Sequence, residues 1–373
     1  MTLRSNPTPA CPLCGESGEM IHPQVEDHLF GVPGTWGFRR CLSMSCRLLW
    51  LDPSPFPEDL GEAYRTYYTH GETTPPPSAP VRPVRRELVR LRKNLARIFF
   101  DLLVFPVVLG GKPPFWERAQ EAYESRIYRG KRLQGWSRIF YTLFLLSPAR
   151  KSEVDFRYMY TKPRPGGSLL ELGCGDGWLL SLMQAGGWNV EGLDFDPAAV
   201  EQARSRGVAV RLGGLVEQGY PEARFDLIVA SHFLEHVHDP GPVLQEAWRL
   251  LRPGGRLVFV TPNASGLGHW VFGSHWRGLE PPRHIQIFSP RNLARLARTF
   301  AGPGVRAFTT TRDIHHLFYA SLSLKEDGLH SWQRPIQSTR MAKARALAWV
   351  ERCLSIVFPD LGEELVLVVD KPQ

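Results

Sequence analysis

Residues 168–180 read SLLELGCGDGWLL, and this stretch decides the fold of the 373-residue chain. A short apolar run ends at Leu172, three glycines alternate over 173–177, and an apolar helical pattern resumes at Trp178. This order predicts a strand, a tight turn and a helix. Glycine lets the backbone approach a ligand, and the first turn of a helix presents unpaired N–H groups to it. We therefore expect a ligand site here, although a lone glycine-rich turn often binds nothing.

An acidic residue follows the next apolar segment. That segment covers 189–193, and Asp194 comes directly after it, about twenty residues beyond the glycines, as in nucleotide-binding folds. In a doubly wound fold, a carboxylate at the tip of the second strand accepts hydrogen bonds from a ribose. A dinucleotide would need a third glycine at the position of Trp178, so another nucleotide-type cofactor fits better.

The pattern ELGCGDG at 171–177 resembles motif I of the class I S-adenosylmethionine-dependent methyltransferases. The resemblance continues in order through VEGLDFDPAAVEQAR (190–204), FDLIVASHFLEHVHDP (225–240) and LLRPGGRLVFVTPN (250–263). It implies a Rossmann-like, doubly wound α/β fold whose seven-stranded sheet is parallel apart from an antiparallel last strand. It also implies S-adenosylmethionine as the cofactor.

The resemblance further implies residue roles around that cofactor. Glu171 would orient the turn, Asp194 would accept hydrogen bonds from both ribose hydroxyls, and His232 would lie beside the sulfonium. The full set of implied cofactor-binding residues is Glu171, Gly173, Cys174, Gly175, Gly177, Asp194, Phe195, Gly214, Leu215, Ser231 and His232.

Histidines are the candidates for a general base, which would remove a proton from a hydroxyl or an acidic carbon. His236 and His284 lead, with His232 and His275 behind them, although any of them could simply be packed in a loop. His284 gains support because PPRHIQIFSPRNL resembles the acceptor-side segment of the family. Residues 232–236 also spell H-x-x-E-H, the inverted zinc-protease signature. That chemistry needs a formed helix, whereas this motif directly follows an apolar strand, so we interpret it as a methyltransferase loop.

Two absences and the charge distribution narrow the acceptor. The chain has no Asn/Asp-Pro-Pro-Tyr/Phe after the fourth strand and no Pro-Cys nucleophile in the core, which disfavours nucleic-acid methylation. Of the net charge of +8, residues 81–164 contribute 19 − 7 = +12, so the remainder sums to −4. We predict methyl transfer to a hydroxyl, less readily a carbon, of a small or lipid-linked metabolite such as a sugar, a phenol or quinone, or a polyketide. The alternatives are an RNA methyltransferase and a non-catalytic S-adenosylmethionine-binding module.

Four cysteines near the N-terminus predict a structural zinc site. They are Cys11, Cys14, Cys41 and Cys46. Two thiolates at C-x2-C spacing can reach one tetrahedral ion, and a site with four thiolates leaves no position open for chemistry. The segment resembles the zinc-ribbon leader of bacterial methyltransferases, but its x4 spacing and Arg47, where the family usually has glycine, are departures.

We predict four regions: the leader at 1–70, a proline-rich linker at 71–83, a basic helical segment at 84–160, and the methyltransferase core at 161–373 with a helical insertion at about 314–358. The basic segment could be a lid over the site, an amphipathic surface against anionic lipid, or a contact for RNA. Its candidate membrane contact covers 84–146. The N-terminus has no signal-like apolar region, so we expect a cytoplasmic protein, peripheral at the inner membrane face if the lipid interpretation holds.

Overall fold

The structure, a computed structural model, describes residues 3–65, 114–145, 148–312, 314–331 and 334–373. The chain divides into two compact units, one formed by Met1–His70 with Pro163–Gln373 and the other by Gly71–Lys162. The predicted linker at 71–83 and the start of the basic helical segment lie outside the described residues.

Short antiparallel strands build the leader. They are β1 (Ser5–Asn6), β2 (Gly18–Val25), β3 (Trp36–Cys41), β4 (Leu49–Asp52) and β5 (Ser54–Pro55). Strand β1 pairs with β5, and β2, β3 and β4 form a second antiparallel sheet. A 3-10 helix, Leu60–Tyr64, follows. The leader therefore ends, within the described residues, in a turn of helix that carries a buried tyrosine.

Three helices form the described part of the second unit. They are α1 (Pro114–Ile127), α2 (Trp136–Leu145) and α3 (Pro148–Arg157). Tyr123, Tyr128 and Phe144 pack together, and both tyrosine hydroxyls donate to the buried carboxylate of Asp155.

Seven strands form the central sheet of the first unit. They are β6 (Ser168–Leu172), β7 (Asn189–Asp194), β8 (Ala209–Leu212), β9 (Phe225–Ser231), β10 (Leu251–Pro262), β12 (Val305–Thr310) and β13 (Glu364–Asp370), whereas β11 (Gln286–Ile287) lies outside this sheet. Their order is β12-β13-β10-β9-β6-β7-β8, and β13 alone is antiparallel to its neighbours. The predicted fold class is confirmed. The strand order reverses between β6 and β9, which is where open α/β sheets bind ligands.

Helices connect these strands and close the core. They are α4 (Trp178–Ala185), α5 (Pro197–Ser205), α6 (Pro240–Leu250), α7 (Leu267–Phe272), α8 (Pro290–Ala301), α9 (Ile314–Asp327) and α10 (Ser338–Val357). Asp196 caps α5 by accepting from Ala198 N at 3.0 Å, and Pro197 occupies the first turn, as the sequence predicts. Helices α9 and α10 lie within residues 314–358, where the sequence predicts a helical insertion.

The leader and the core share one hydrophobic cluster. Phe38 and Leu49 of the leader pack with Trp276 and with Phe318 of α9. Strand β11 lies within the core segment by sequence, yet it pairs antiparallel with β4 and extends the leader sheet. The leader is therefore packed on the loops that follow β10 and is not joined to the core only through the chain. In the described part of the chain, no helix combines the length and apolar character needed to cross a membrane.

Candidate active site

The turn between β6 and α4 needs glycine for two separate reasons. Gly173, Gly175 and Gly177 have φ values of 66°, 51° and 75°, a region that other residues rarely adopt. A Cβ at Gly173 would lie 2.7 Å from the ring of Phe233, and one at Gly177 would lie 2.9 Å from Val208 Cγ2. The turn therefore keeps its backbone bare at the carboxyl edge of the sheet.

Asp194 ends β7 beside this turn. One carboxylate oxygen accepts from Gly175 N at 2.8 Å, and the other accepts from Asp196 N at 3.0 Å. Burial raises the pKa of Asp194 above its usual value. Because each carboxylate oxygen has two lone pairs, one on each remains for a ligand. Asp194 thus fixes the glycine turn and still has acceptor lone pairs for a ligand.

A second carboxylate lies beneath the turn. Glu171 on β6 is buried, and its Oε2 atom has no hydrogen-bond partner among the described residues. Burial raises the pKa of Glu171 well above its ordinary value. A buried acceptor without a donor fits a cationic or N–H group of a bound cofactor. The neighbouring Cys174 thiol faces Gly192 of β7, so only the backbone of Cys174 is available to a ligand in the turn.

The predicted adenine side also meets Asp194. Gly213 N donates to the Asp194 carbonyl at 2.9 Å, which places Gly214 and Leu215 directly after this contact. Leu215 is buried, whereas the Phe195 residue is 46% exposed. A buried leucine and an exposed aromatic ring therefore lie near the end of β7, beside the predicted ribose-binding residue Asp194.

Ser231 ends β9, and His232 follows in a left-handed conformation with φ of 52°. Its Nδ1 lies 3.2 Å from Glu235 Oε1, and its Nε2 lies 3.4 Å from Glu364 Oε1. Desolvation alone would lower the pKa of His232, but the two carboxylates outweigh it and raise the pKa to about 9. At neutral pH His232 is therefore protonated and donates from both nitrogens, which makes it unsuitable as a base.

The H-x-x-E-H motif adopts no zinc-protease geometry. Residue 232 lies at the strand end, and Leu234–His236 forms a single 3-10 turn instead of a helix. Glu235 is fully buried, and its Oε2 accepts from Thr261 Oγ1 at 2.9 Å. Sequence reasoning did not assign Glu235 a role in this site.

His236 and His284 come together in space. Their ring centroids lie 4.8 Å apart in an edge-to-face arrangement. His236 Nδ1 lies 2.9 Å from the Arg283 carbonyl, and His284 Nδ1 lies 2.8 Å from the Gly278 carbonyl. A carbonyl oxygen only accepts, so each Nδ1 carries a proton, which leaves Nε2 as the nitrogen able to accept one.

The environment keeps His284 neutral. Burial lowers the pKa of His284 to about 4. Its Nε2 lies 3.7 Å from Glu280 Oε2 and 4.0 Å from Glu235 Oε1. One ligand atom each from Glu235, His236 and His284 lies within 4.8 Å of the others. His275, the remaining candidate, lies apart in the 3-10 helix Gly273–His275.

The leader contributes Tyr64 to the same place. Its hydroxyl lies 2.9 Å from His236 Nδ1, and its ring packs edge-on against Phe195 with centroids 5.0 Å apart. Tyr64 is not among the site residues that the sequence predicts. The sequence shows a tyrosine in a short helical turn of the leader, but it does not show where the leader packs, so it could not place Tyr64 in the site.

A buried ion pair anchors the leader beside the site. Arg283 Nη1 lies 2.9 Å from Asp27 Oδ2, and both side chains are 0% exposed. The same guanidinium donates to Glu280 Oε1 at 3.0 Å and to the Ala63 carbonyl at 3.1 Å, and it lies over the Phe30 ring. Arg283 therefore joins the acceptor-side loop to the residue before Tyr64.

The four leader cysteines converge. Cys11 Sγ lies 3.7 Å from Cys46 Sγ, Cys14 Sγ lies 3.5 Å from Cys41 Sγ, and all four sulfurs lie within 4.8 Å of one another as free thiols. A Zn–S distance of about 2.3 Å gives tetrahedral sulfur–sulfur edges of about 3.8 Å, so the set fits zinc. The x4 spacing does not prevent this convergence, and Arg47, directly after Cys46, takes the left-handed conformation with φ of 53°.

Comparison with known proteins agrees with this geometry. The model of the family described as "Methyltransferase domain" matches residues 150–300. A "Probable S-adenosylmethionine-dependent methyltransferase" of Mycolicibacterium smegmatis is 39% identical over 100 residues, which is 26% of this chain and 39% of that protein. The "Malonyl-[acyl-carrier protein] O-methyltransferase" of Serratia marcescens is 32% identical over 36% of this chain and 52% of its own length.

A third relative is covered over most of its length. The "Ubiquinone biosynthesis O-methyltransferase" of Thiobacillus denitrificans is 31% identical over 172 residues, which is 43% of this chain and 72% of that protein. The chain belongs to the class I S-adenosylmethionine-dependent methyltransferases, a family of enzymes whose methyl donor is S-adenosylmethionine. It spans 39% and 52% of the length of the first two relatives.

Proposed function

We propose that this chain transfers a methyl group from S-adenosylmethionine to a hydroxyl, less readily a carbon, of a small or lipid-linked metabolite such as a sugar, a phenol or quinone, or a polyketide. The observation that carries the proposal is one juxtaposition. Tyr64 contacts Phe195, next to Asp194 and the glycine turn, and also contacts His236, next to His284. The proposed cofactor-binding turn and the two imidazoles therefore share one edge of the sheet.

In this proposal, the β6 and β7 ends hold the donor. Asp194 accepts hydrogen bonds from the ribose hydroxyls, and Glu171 lies where the methionine amino group would supply its missing donor. Gly214 and Leu215 border the adenine, while Ser231 and the protonated His232 lie at the sulfonium end. The fit rests on the bare glycine turn and on the unpartnered Glu171 oxygen.

The chemistry is an in-line displacement. The acceptor oxygen forms a bond to the methyl carbon as the carbon–sulfur bond breaks, and the hydroxyl proton passes to an imidazole. His236 and His284 are the proposed bases because Nδ1 of each ring donates to a backbone carbonyl, which leaves Nε2 as the nitrogen able to accept the proton. Most of the rate gain would come from positioning the two substrates. Two relatives carry O-methyltransferase names, which supports an oxygen acceptor.

A structural zinc ion bound by Cys11, Cys14, Cys41 and Cys46 belongs to the same proposal. Asn292 of α8 donates to the Cys46 carbonyl at 3.0 Å, so the metal-binding loop is also tied to the core. Four thiolates would stabilise the leader fold and leave no coordination position for substrate.

The second unit is proposed as a lid or as a surface for anionic lipid. On α2 the Trp136 residue is 76% exposed and the Ile139 residue 50% exposed, with Arg138 between them. An apolar ring beside a cation is the pattern of interfacial helices. Flotation with vesicles with and without anionic lipid tests this role, and equal recovery of the protein from both would reject the lipid contact.

Calorimetric titration with S-adenosylhomocysteine tests the cofactor assignment. Asp194→Asn removes one acceptor oxygen and the charge, so we expect binding to weaken about 10- to 100-fold, given about 1.5–3 kcal/mol per charge-assisted hydrogen bond. Because burial raises the pKa of Asp194, wild-type affinity should also fall as the solution becomes acidic, and the variant should lose this dependence.

The matched control lies in the same turn. The Asp176 carboxylate pairs with Arg206 at 2.5 Å instead of facing Asp194. Asp176→Asn should therefore bind S-adenosylhomocysteine like wild type, and NADH should not bind. Equal affinity of wild type and Asp194→Asn would refute the ribose assignment. For the acceptor, radiolabelled donor incubated with phenol, sugar and lipid-extract pools should label a hydroxyl-bearing product, and label found only in RNA would replace the small-molecule proposal.

A further inference from the structure

Tyr64 occupies an unusual position for a leader residue. It is buried, it reaches His236 with its hydroxyl, and it reaches Phe195 with its ring. Phe195 follows the proposed ribose-binding residue, and His236 is a proposed base. Tyr64 therefore lies between the donor and acceptor halves of the site although it belongs to neither half by sequence.

The hydrogen bonds of His236 define the role of Tyr64. Two oxygens, the Arg283 carbonyl and the Tyr64 hydroxyl, each lie 2.9 Å from Nδ1. The carbonyl requires a proton on Nδ1, so the Tyr64 oxygen must share that proton as a second acceptor. Two acceptor oxygens at Nδ1 hold the proton on that nitrogen and fix the plane of the imidazole ring. Nε2 is then the nitrogen left to accept a proton.

The leader holds Tyr64 in place through the same loop that orients His236. Arg283 donates its side chain to the Ala63 carbonyl, and its own carbonyl accepts from His236. Asp27 of the leader compensates the buried Arg283 charge. These contacts form a closed cycle, in which Tyr64 contacts His236, His236 contacts Arg283, and Arg283 contacts Ala63, the residue before Tyr64. Burial raises the pKa of Tyr64 well above its usual value, so its hydroxyl stays neutral.

We propose that Tyr64 is a positioning residue of the methyl-transfer site, supplied by the leader, which holds His236 in the Nδ1–H tautomer with Nε2 free for the acceptor. This inference rests on the proposed function, because it gives His236 its purpose. It also gives the leader a role in the reaction itself: the site is incomplete without residues 60–64.

The first test is nitrogen-15 NMR of the full-length protein labelled at histidine, alone and with S-adenosylhomocysteine. His236 signals are identified by their loss in His236→Gln. Wild type should show one tautomer with a slowly exchanging Nδ1–H. Tyr64→Phe keeps the ring against Phe195 but removes the oxygen, so Nδ1–H exchange should be at least tenfold faster and the second tautomer should appear.

The matched control is Tyr220→Phe, which removes another buried hydroxyl of the same unit, one bonded to Glu191. It should leave the His236 signals unchanged. An exchange rate for Tyr64→Phe within twofold of wild type, or the same change in Tyr220→Phe, would overturn the proposal. If a thermal melt shows that Tyr64→Phe loses its fold, incorporation of 3-fluorotyrosine offers a milder change. It weakens the hydroxyl oxygen as an acceptor, and an unmoved His236 Nδ1–H signal would count against the proposal.

The NMR readout does not depend on an acceptor or on turnover, so it separates this inference from the proposed function. Failure of S-adenosylhomocysteine to bind would refute the proposed function while the His236 signals still report the Tyr64 contact. With an acceptor pool that accepts label, Tyr64→Phe should reduce turnover about tenfold and change S-adenosylhomocysteine affinity less than twofold. Equal turnover of the two proteins would overturn the positioning role.

Discussion

Removing the Asp27 charge should destabilise the protein strongly. Four charged side chains meet at the boundary of leader and core: Asp27, Arg277, Glu280 and Arg283. Their formal charges sum to zero. Asp27→Asn leaves a net charge of +1 on this group, and the Arg283 side chain that loses its partner is 0% exposed. Breaking a buried pair by removing one partner costs about 3–5 kcal/mol.

Urea denaturation followed by tryptophan fluorescence measures this loss, because Trp36 and Trp276 lie in the adjoining hydrophobic cluster. With an m-value of about 3 kcal/mol per molar urea, a loss of about 4 kcal/mol lowers the midpoint by about 1.3 M. Arg283→Met alone leaves the group at −1 and should also destabilise. The double variant restores neutrality, since Arg277 and Glu280 remain paired.

The double-variant cycle decides whether the reasoning holds. If charge is the cause, Asp27→Asn with Arg283→Met should lose at least 1–2 kcal/mol less than the sum of the two single losses, as expected for directly coupled residues. Additive losses would show that the two side chains act independently. A loss below about 1 kcal/mol for Asp27→Asn would show that the pair is solvated in solution, contrary to its burial here.

Three further predictions concern the turn, the zinc site and pH. Gly177→Ala places a Cβ 2.9 Å from Val208 in a residue with positive φ. The free energy of unfolding should therefore fall by about 1–3 kcal/mol, and S-adenosylhomocysteine should bind more weakly. Wild-type affinity of this variant would contradict the prediction. Cys11→Ser should abolish the zinc measured by elemental analysis, whereas Cys353→Ser, at an exposed cysteine outside the cluster, should retain it. Burial lowers the pKa of His284 from about 6.5 to about 4. The free energy of unfolding should therefore decrease by about 3 kcal/mol as the pH falls from 6.5 to 4. His284→Gln should flatten this part of the plot of urea midpoint against pH.

The amino-acid sequence by itself determined the central sheet and the cofactor edge. Strand–turn–helix order, the glycines of 173–177 and the acidic residue at the end of β7 are local patterns, because a few consecutive residues specify each backbone conformation. The sheet order follows from the family resemblance that those patterns carry. The cysteine spacing likewise indicated a four-thiol cluster, since short loops bring such residues together, although the left-handed conformation of Arg47 was not foreseen.

The acceptor side was decided by tertiary structure. Tyr64 and His236 are separated by 172 positions, and Asp27 and Arg283 by 256. No local pattern relates residues so far apart, since their contact depends on how the leader sheet packs on the loops after β10 and pairs through β4 and β11. The protonation states of the histidines were also decided by tertiary structure. Desolvation dominates at the buried His284 and keeps it neutral, whereas the carboxylates of Glu235 and Glu364 outweigh desolvation at His232, and only the folded chain brings those partners within reach.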